Sequence, residues 1–188
     1  MTNVKNNVQK IKHIEATFDP QSLITLTPIH PDQIVGDMCS RNIDLPITIA
    51  KYLYRGKVYA IDIKKEFNND LIKSGKKFNL SNIKPIISDG NTIPINENSL
   101  DGLIISDYLN KITGIKNLFK EFSRITKKTG WISVIEWIPV EGKINFGPAK
   151  SRRINQEKII TLGKSIGLKI ITRRNISENH YIVIFKKT

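Results

Sequence analysis

From residue 34 onward the chain alternates short runs of aliphatic and β-branched residues with stretches whose apolar positions recur every three or four residues. Five such runs, Ile34 to Met38, Lys57 to Ile63, Ile83 to Ser88, Leu100 to Ser106 and Trp131 to Trp137, read as strands. Runs this dense in Ile and Val, separated by helical segments, suit a parallel sheet covered by helices on both faces. The spacing predicts a helix over Asp44 to Tyr54, with Asp44 as N-cap and Pro46 in the first turn, where its missing N–H leaves no helical bond unmade. A second helix is expected to close over Asp70 to Gly75, with Gly75 as its stop. On a later one, Ile115, Leu118, Phe119, Phe122 and Ile125 form a core-facing stripe. The connector Asp89 to Ser99 is short and rich in Asn, Pro and Gly, so it reads as a loop over the carboxyl edge of the sheet.

Beyond Trp137 the pattern changes. Pro139 to Ser151 is a Gly- and Pro-containing loop, after which Asn155 can cap a helix, with Ile154 and Ile159 at the positions of a hydrophobic staple. Gly167 ends that helix, and Leu168 to Arg174 with Tyr181 to Phe185 read as two strands joined by the polar turn Asn175 to Asn179. Residues 1–30 lack a strong period, although Val8, Ile11, Ile14 and Glu15 fit one short helix. The expected organisation is a single domain over 31–188, with 1–30 as an arm of the same domain.

Charge and cysteine content narrow the function classes. With 30 basic and 17 acidic residues, the net charge of +13 favours acidic partners such as nucleic acid. Lysine is spread along the whole chain beside abundant Ile and Asn, as a general composition bias would also produce, so a solvated basic surface is the competing reading. The single cysteine, Cys39, cannot form an internal disulfide, and no His- or Cys-rich ligand group is present, so no metal site is expected. Met1 to Lys12 is polar and basic, and no apolar run approaches a membrane span, so a cytoplasmic protein without membrane attachment is expected. No Gly-x-Gly-x-x-Gly turn follows the first strand, which argues against a nicotinamide-dependent oxidoreductase.

Two segments carry a family resemblance. Gly56-Lys-Val-Tyr-Ala-Ile-Asp62 looks like a strand ending in a carboxylate that binds ribose hydroxyls, and Ile87-Ser-Asp-Gly-Asn-Thr-Ile-Pro-Ile95, followed by Ser99-Leu-Asp101, is similar to a third strand, adenine-side acid and next strand entry. With the terminal helix and hairpin, these resemble class I S-adenosylmethionine-dependent methyltransferases over roughly Ile29 to Lys187. The resemblance implies an α/β, Rossmann-like seven-stranded sheet, mostly parallel with an antiparallel C-terminal hairpin. It further implies S-adenosylmethionine as cofactor, Asp62 on the ribose, Asp89 on the adenine amino group with Gly90 and Asn91 contacting through their backbone, and Ile63 and Lys64 beside the ring. Ser106, Asp107, Tyr108 and Asn110 at the fourth strand's end, and Glu136 and Trp137 at the fifth's, would face the reaction, Ser106 towards the cofactor and Asp107 or Glu136 as general base. Phe146-Gly-Pro-Ala-Lys-Ser-Arg-Arg-Ile154 with His180-Tyr181 resembles a branch of small prokaryotic and archaeal members. Arg152, Arg153, Arg173 and Arg174 are candidates for an anionic substrate, against a reading as solvated pairs.

The pattern breaks after the first strand. Where the family carries a glycine-rich loop, this chain reads Asp37-Met-Cys-Ser-Arg-Asn-Ile43, with Asp37 retained and Cys39, Arg41 and Ile43 in place of the three glycines. Two readings stay open. In one, the loop is repositioned, Arg41 pairs with the cofactor carboxylate, Cys39 or Ser40 packs beside it, and the protein methylates a small-molecule or protein acceptor. In the other, the fold persists without catalysis as a binding or regulatory subunit for a protein or RNA. The oligomeric state is not encoded in anything recognisable.

Overall fold

Seven strands form one sheet in the order β3-β2-β1-β4-β5-β7-β6. The computed structural model of the protein describes residues 19–38, 42–62, 64–139 and 147–188. The strands are β1 (Ile34–Met38), β2 (Lys57–Asp62), β3 (Ile83–Ile87), β4 (Leu100–Ser106), β5 (Thr126–Trp137), β6 (Leu168–Asn175) and β7 (His180–Lys187). Pairings among β1 to β5 are parallel, and β7 runs antiparallel to both β5 and β6. The chain steps outward from β1 through β2 to β3, then returns to β4 beside β1. That reversal opens a crevice beyond the carboxyl ends of β1 and β4, where open α/β sheets bind ligands.

Among the described residues five α-helices cover the sheet: α1 (Pro20–Leu26), α2 (Asp44–Tyr52), α3 (Lys65–Lys77), α4 (Ile115–Ile125) and α5 (Gln156–Ser165). One face packs Leu23 of α1 and Ile49 and Leu53 of the α2 segment against Val35, Val58 and Ile104. Phe67 and Leu71 of α3 extend that layer with Ile47 and Ala60. The opposite face packs the α4 stripe Leu118, Phe119, Phe122 and Ile125, together with Ile159 and Ile160 of α5, against Leu103, Ile132 and Phe185. Burial on both faces is why the central strands read as continuous rather than alternating apolar runs. Among the described residues no helix is long and apolar enough to cross a membrane.

Three local expectations are corrected. Asp44 is the first residue of α2 rather than its cap: Ile43 holds the cap position, and the Asn42 side chain accepts the Asp44 N–H at 3.0 Å. Gly75 does not stop α3, which starts at Lys65 and continues to Lys77. Gly75 is buried in its last turn beside Leu80 and Ile83, with room for ordinary side-chain contact there. Strand β5 begins at Thr126, five residues before the apolar run that announced it, directly after α4. The possible helix around Val8 to Glu15 lies outside the described residues. At α5 the expectation matches: Asn155 Oδ1 accepts the Glu157 N–H at 2.9 Å, and Ile154 and Ile159 share one core cluster.

Lys187 anchors the far end of α4. Its Nζ donates to the carbonyls of Ser123 (2.6 Å) and Thr126 (2.7 Å) and to Asn98 Oδ1 (3.0 Å). A cation on the last carbonyls of a helix satisfies acceptors that have no helical donor. Replacing Lys187 with methionine, which keeps the stem, is expected to remove about 1–2 kcal/mol of stability, read as a lower urea midpoint with unchanged slope.

Candidate active site

Two of the carboxylates that the motif reading singles out stand near the carboxyl ends of β1 and β2, beside the strand reversal. Asp37, in β1 between Ala60 and Ile104 of the neighbouring strands, is fully buried. Asp62 ends β2 at 3% exposure, and its Oδ1 accepts the Lys64 N–H at 2.9 Å, a bond that turns the chain out of the strand towards α3. Cys39, Arg41 and Ile63 lie outside the described residues, so their assignments rest on the sequence alone; Ile43 packs beside the Ile47 and Phe67 cluster.

Tyr108, just past β4, is 5% exposed, and its hydroxyl has no hydrogen-bond partner among the described residues. Burial, with the negative charge of Asp62 adding to it, pushes this phenol up to about 12. A buried phenol near a buried carboxylate is a donor held ready for a ligand oxygen, since an orphaned hydroxyl is costly otherwise.

The loop after β3 is wound by side-chain oxygens. Asp89 Oδ1 accepts from Asn91 N (2.8 Å) and Thr92 N (2.6 Å), and these bonds hold its exposed carboxyl below the usual range, Thr92 contributing most. Ser88 Oγ accepts from Gly90 N (3.1 Å) and donates to the Thr92 carbonyl (2.8 Å). Gly90 sits at φ 87°, a left-handed conformation a side chain would disfavour, and it lets the chain reverse over the sheet edge. Glu121 and Arg124 of α4 clamp the rest of this loop. Glu121 Oε2 accepts the Ile93 N–H at 3.1 Å, and Arg124 donates to the carbonyls of Ile93 and Ile95, both at 2.9 Å, while pairing with Glu121. This clamp escaped the sequence reading, in which α4 was defined by its apolar stripe; its polar signal is an i,i+3 acid and base on the loop side.

A second cluster stands beyond β4 and β5. Asp107 adopts φ 50°, a region that aspartate tolerates better than most residues, and its N–H donates to the Ile135 carbonyl at 3.0 Å. Glu136 is fully buried, accepting from Leu109 N at 2.6 Å and Asn110 Nδ2 at 2.9 Å. Burial pushes its carboxyl up to about 7 despite those donors, and the charge of Asp107 adds to the rise. Both Glu136 oxygens are thus occupied in tying the 109–110 turn to β5. Of the two candidate bases, Asp107 is the one with an accessible side chain, 26% exposed.

Trp137, the last residue of β5, is boxed in from three sides. The ring of His180, its partner on β7, lies 4.2 Å away between centroids, and the Arg153 guanidinium sits 5.0 Å from the indole. Gly147, at φ 75°, leaves room where a Cβ would come within 2.7 Å of the same ring. Arg153 is 7% exposed and donates to the carbonyls of Ile138 and Pro148 (3.1 Å each), so it straps the loop over Trp137. Arg173 pairs with Glu157 on the surface, and Arg152 and Arg174 are exposed, so the four arginines do not converge on one anion site.

Comparison with known proteins agrees with this geometry. Residues 46–134 match the methyltransferase domain family, a stretch that starts just past the altered loop at 37–43. The demethylmenaquinone methyltransferase of Corynebacterium efficiens is 31% identical over 83 residues, which cover 42% of this chain and only 35% of that enzyme. A crystal structure of a SAM-dependent methyltransferase from Aquifex aeolicus superposes with a TM-score of 0.83 at 20% identity, covering 92% of each chain. The [4+2]-cyclase SpnF superposes with a TM-score of 0.78 at 12% identity, covering 89% of this chain and 79% of that one, so the fold by itself does not specify the reaction. Residues 46–134, just under half of the chain, are thus similar to the methyltransferase domain family, and the sheet order with its C-terminal hairpin gives the chain the Rossmann-like fold of class I methyltransferases.

Proposed function

We propose that the protein transfers a methyl group from S-adenosylmethionine to a small-molecule acceptor, with the cofactor lying along the carboxyl edge from β3 to β4. The observation that carries this reading is the pair at the carboxyl ends of β2 and β4: the nearly buried Asp62 and the Tyr108 hydroxyl, which has no hydrogen-bond partner among the described residues, offer an acceptor and a donor. Asp62 suits two ribose hydroxyls, because a carboxylate accepts both in short charge-assisted bonds. Asp89 turns its loop with Oδ1, which leaves Oδ2 for the adenine amino group, with the Gly90 and Asn91 backbone alongside. Ile63 and Lys64 flank the base, and Ser106 lies where β4 meets the crevice. Asp37, Cys39 and Arg41 take the methionine end, Arg41 supplying a bidentate partner for the carboxylate in place of glycine backbone.

Bound there, the sulfonium supplies an electrophilic methyl group that departs with its bonding pair left on sulfur. The protein's own contribution is positional: it holds the acceptor atom in line and keeps water out. Trp137, under its Arg153 strap, forms the wall of the acceptor side. The named acceptor of the Corynebacterium relative, demethylmenaquinone, supports a small molecule over a protein.

S-adenosylhomocysteine at about 100 times its dissociation constant is expected to stabilise the protein by about 2.7 kcal/mol, a rise in Tm of roughly 5–10 °C. No rise at millimolar ligand would contradict the reading.

A further inference from the structure

His180 is buried at 2% exposure, yet two polar side chains, Asp107 and Ser177, address its ring and backbone. Its Nε2 stands 3.5 Å from Asp107 Oδ1, and its Nδ1 stands 3.4 Å from Ser177 Oγ. Ser177, in the exposed turn between β6 and β7, also accepts the N–H groups of Asn179 (3.1 Å) and His180 (3.0 Å), so its hydroxyl is fixed against the imidazole. Trp137 packs on the ring and sets its plane. With both acceptor positions of Ser177 Oγ taken, its hydroxyl donates to Nδ1, which leaves the Nε2–H of the buried imidazole facing Asp107. Separations slightly longer than ideal are common in such arrangements before substrate is bound. Glu136 and Arg153 are the other charged groups nearby, the first tied to the 109–110 turn and the second strapped over Trp137.

We propose that Asp107 takes the proton of the methyl acceptor and releases it to solvent with the product, and that His180, held by Ser177, is its positioning partner. The inference rests on the methyl-transfer reading above and adds the acceptor class. In the balanced step the nucleophilic oxygen forms its bond to the methyl carbon, the carbon–sulfur bond breaks with its electrons on sulfur, and the O–H proton passes to Asp107. A carboxylate backed by imidazole suits a hydroxyl of phenolic acidity, near pKa 10 in the free group, removed in step with methyl transfer. The acceptor is therefore a phenolic small molecule.

The test uses the whole chain with tritiated-methyl S-adenosylmethionine and two probe acceptors, catechol and 4-nitrocatechol, the latter already ionised at neutral pH. Binding of S-adenosylhomocysteine is measured first on every variant. In Asp107→Asn it is expected to stay within about twofold of the parent, while kcat for catechol falls about 100-fold or more with KM nearly unchanged, the usual scale for a lost general base. His180→Asn is expected to lose roughly tenfold in kcat for catechol. Methylation of the 4-nitrocatechol hydroxyl that is ionised at neutral pH needs no base, so at that oxygen both variants should match the parent, an outcome that a merely structural role would not give. Equal losses on both acceptors, no loss on catechol, or bound cofactor without methylation of either catechol would overturn the proposal. Failure of the parent protein to bind S-adenosylhomocysteine would instead overturn the cofactor reading beneath it.

Discussion

Between pH 4.5 and about pH 8, the stability of the protein relative to its Glu136→Gln variant is expected to fall by about 3 kcal/mol. The Glu136 carboxyl titrates near 4.5 in the unfolded chain and near 7 when buried beneath the 109–110 turn. Folding therefore takes up a proton between those values. The stabilising contribution is complete below 4.5 and is lost as the pH climbs through 7, because the folded protein must then hold an ionised carboxylate away from water. The glutamine variant keeps an oxygen for the Leu109 N–H and has nothing to ionise there, so subtracting its curve removes the other titrating groups. Paired urea titrations across the range measure the difference. A difference that does not change with pH would mean that the Leu109 and Asn110 donors compensate the buried charge completely.

Asp62→Ala is expected to weaken S-adenosylhomocysteine binding by about 100-fold, and Asp62→Asn by about tenfold. A carboxylate accepting two hydroxyl protons contributes through two charge-assisted bonds, and each 1.4 kcal/mol is about tenfold in affinity. The second variant separates ligand binding from local folding. Asn keeps an oxygen for the Lys64 N–H at the end of β2, so the turn into α3 survives while the charge is gone. Isothermal titration reads both. Affinities within about twofold of the parent in both variants would remove Asp62 from the cofactor site.

The sheet was legible because its central strands are buried on both faces, which leaves runs such as Leu100 to Ser106 almost free of polar residues. Element ends were harder where tertiary packing overrides local rules. Gly75 looks like a helix stop in isolation but is held inside α3 by contact with the β3 entrance, and Thr126 to Gly130 joins β5 although its residues are polar and partly exposed. The carboxylates at strand ends were readable from their positions after apolar runs. The partnership of Asp107 with His180 was not, since 73 residues separate them and only the antiparallel pairing of β7 with β5 brings them together. Glu136 shows the reverse limit: its place at a strand end suggested chemistry, whereas its two bonds to the 109–110 turn reveal a tether.

The central claim is that a cofactor binds along the carboxyl edge even though Cys39, Arg41 and Ile43 stand where glycines are expected. Amide shift mapping of the ¹⁵N-labelled protein titrated with S-adenosylhomocysteine tests it most directly. The account predicts saturable shifts concentrated at Met38, Asp62, Lys64, Gly90, Asn91 and Ser106, with the opposite edge around Gly56 and Asn82 unmoved. Shifts centred elsewhere, or none at millimolar ligand, would contradict it and leave the fold as a scaffold without its cofactor.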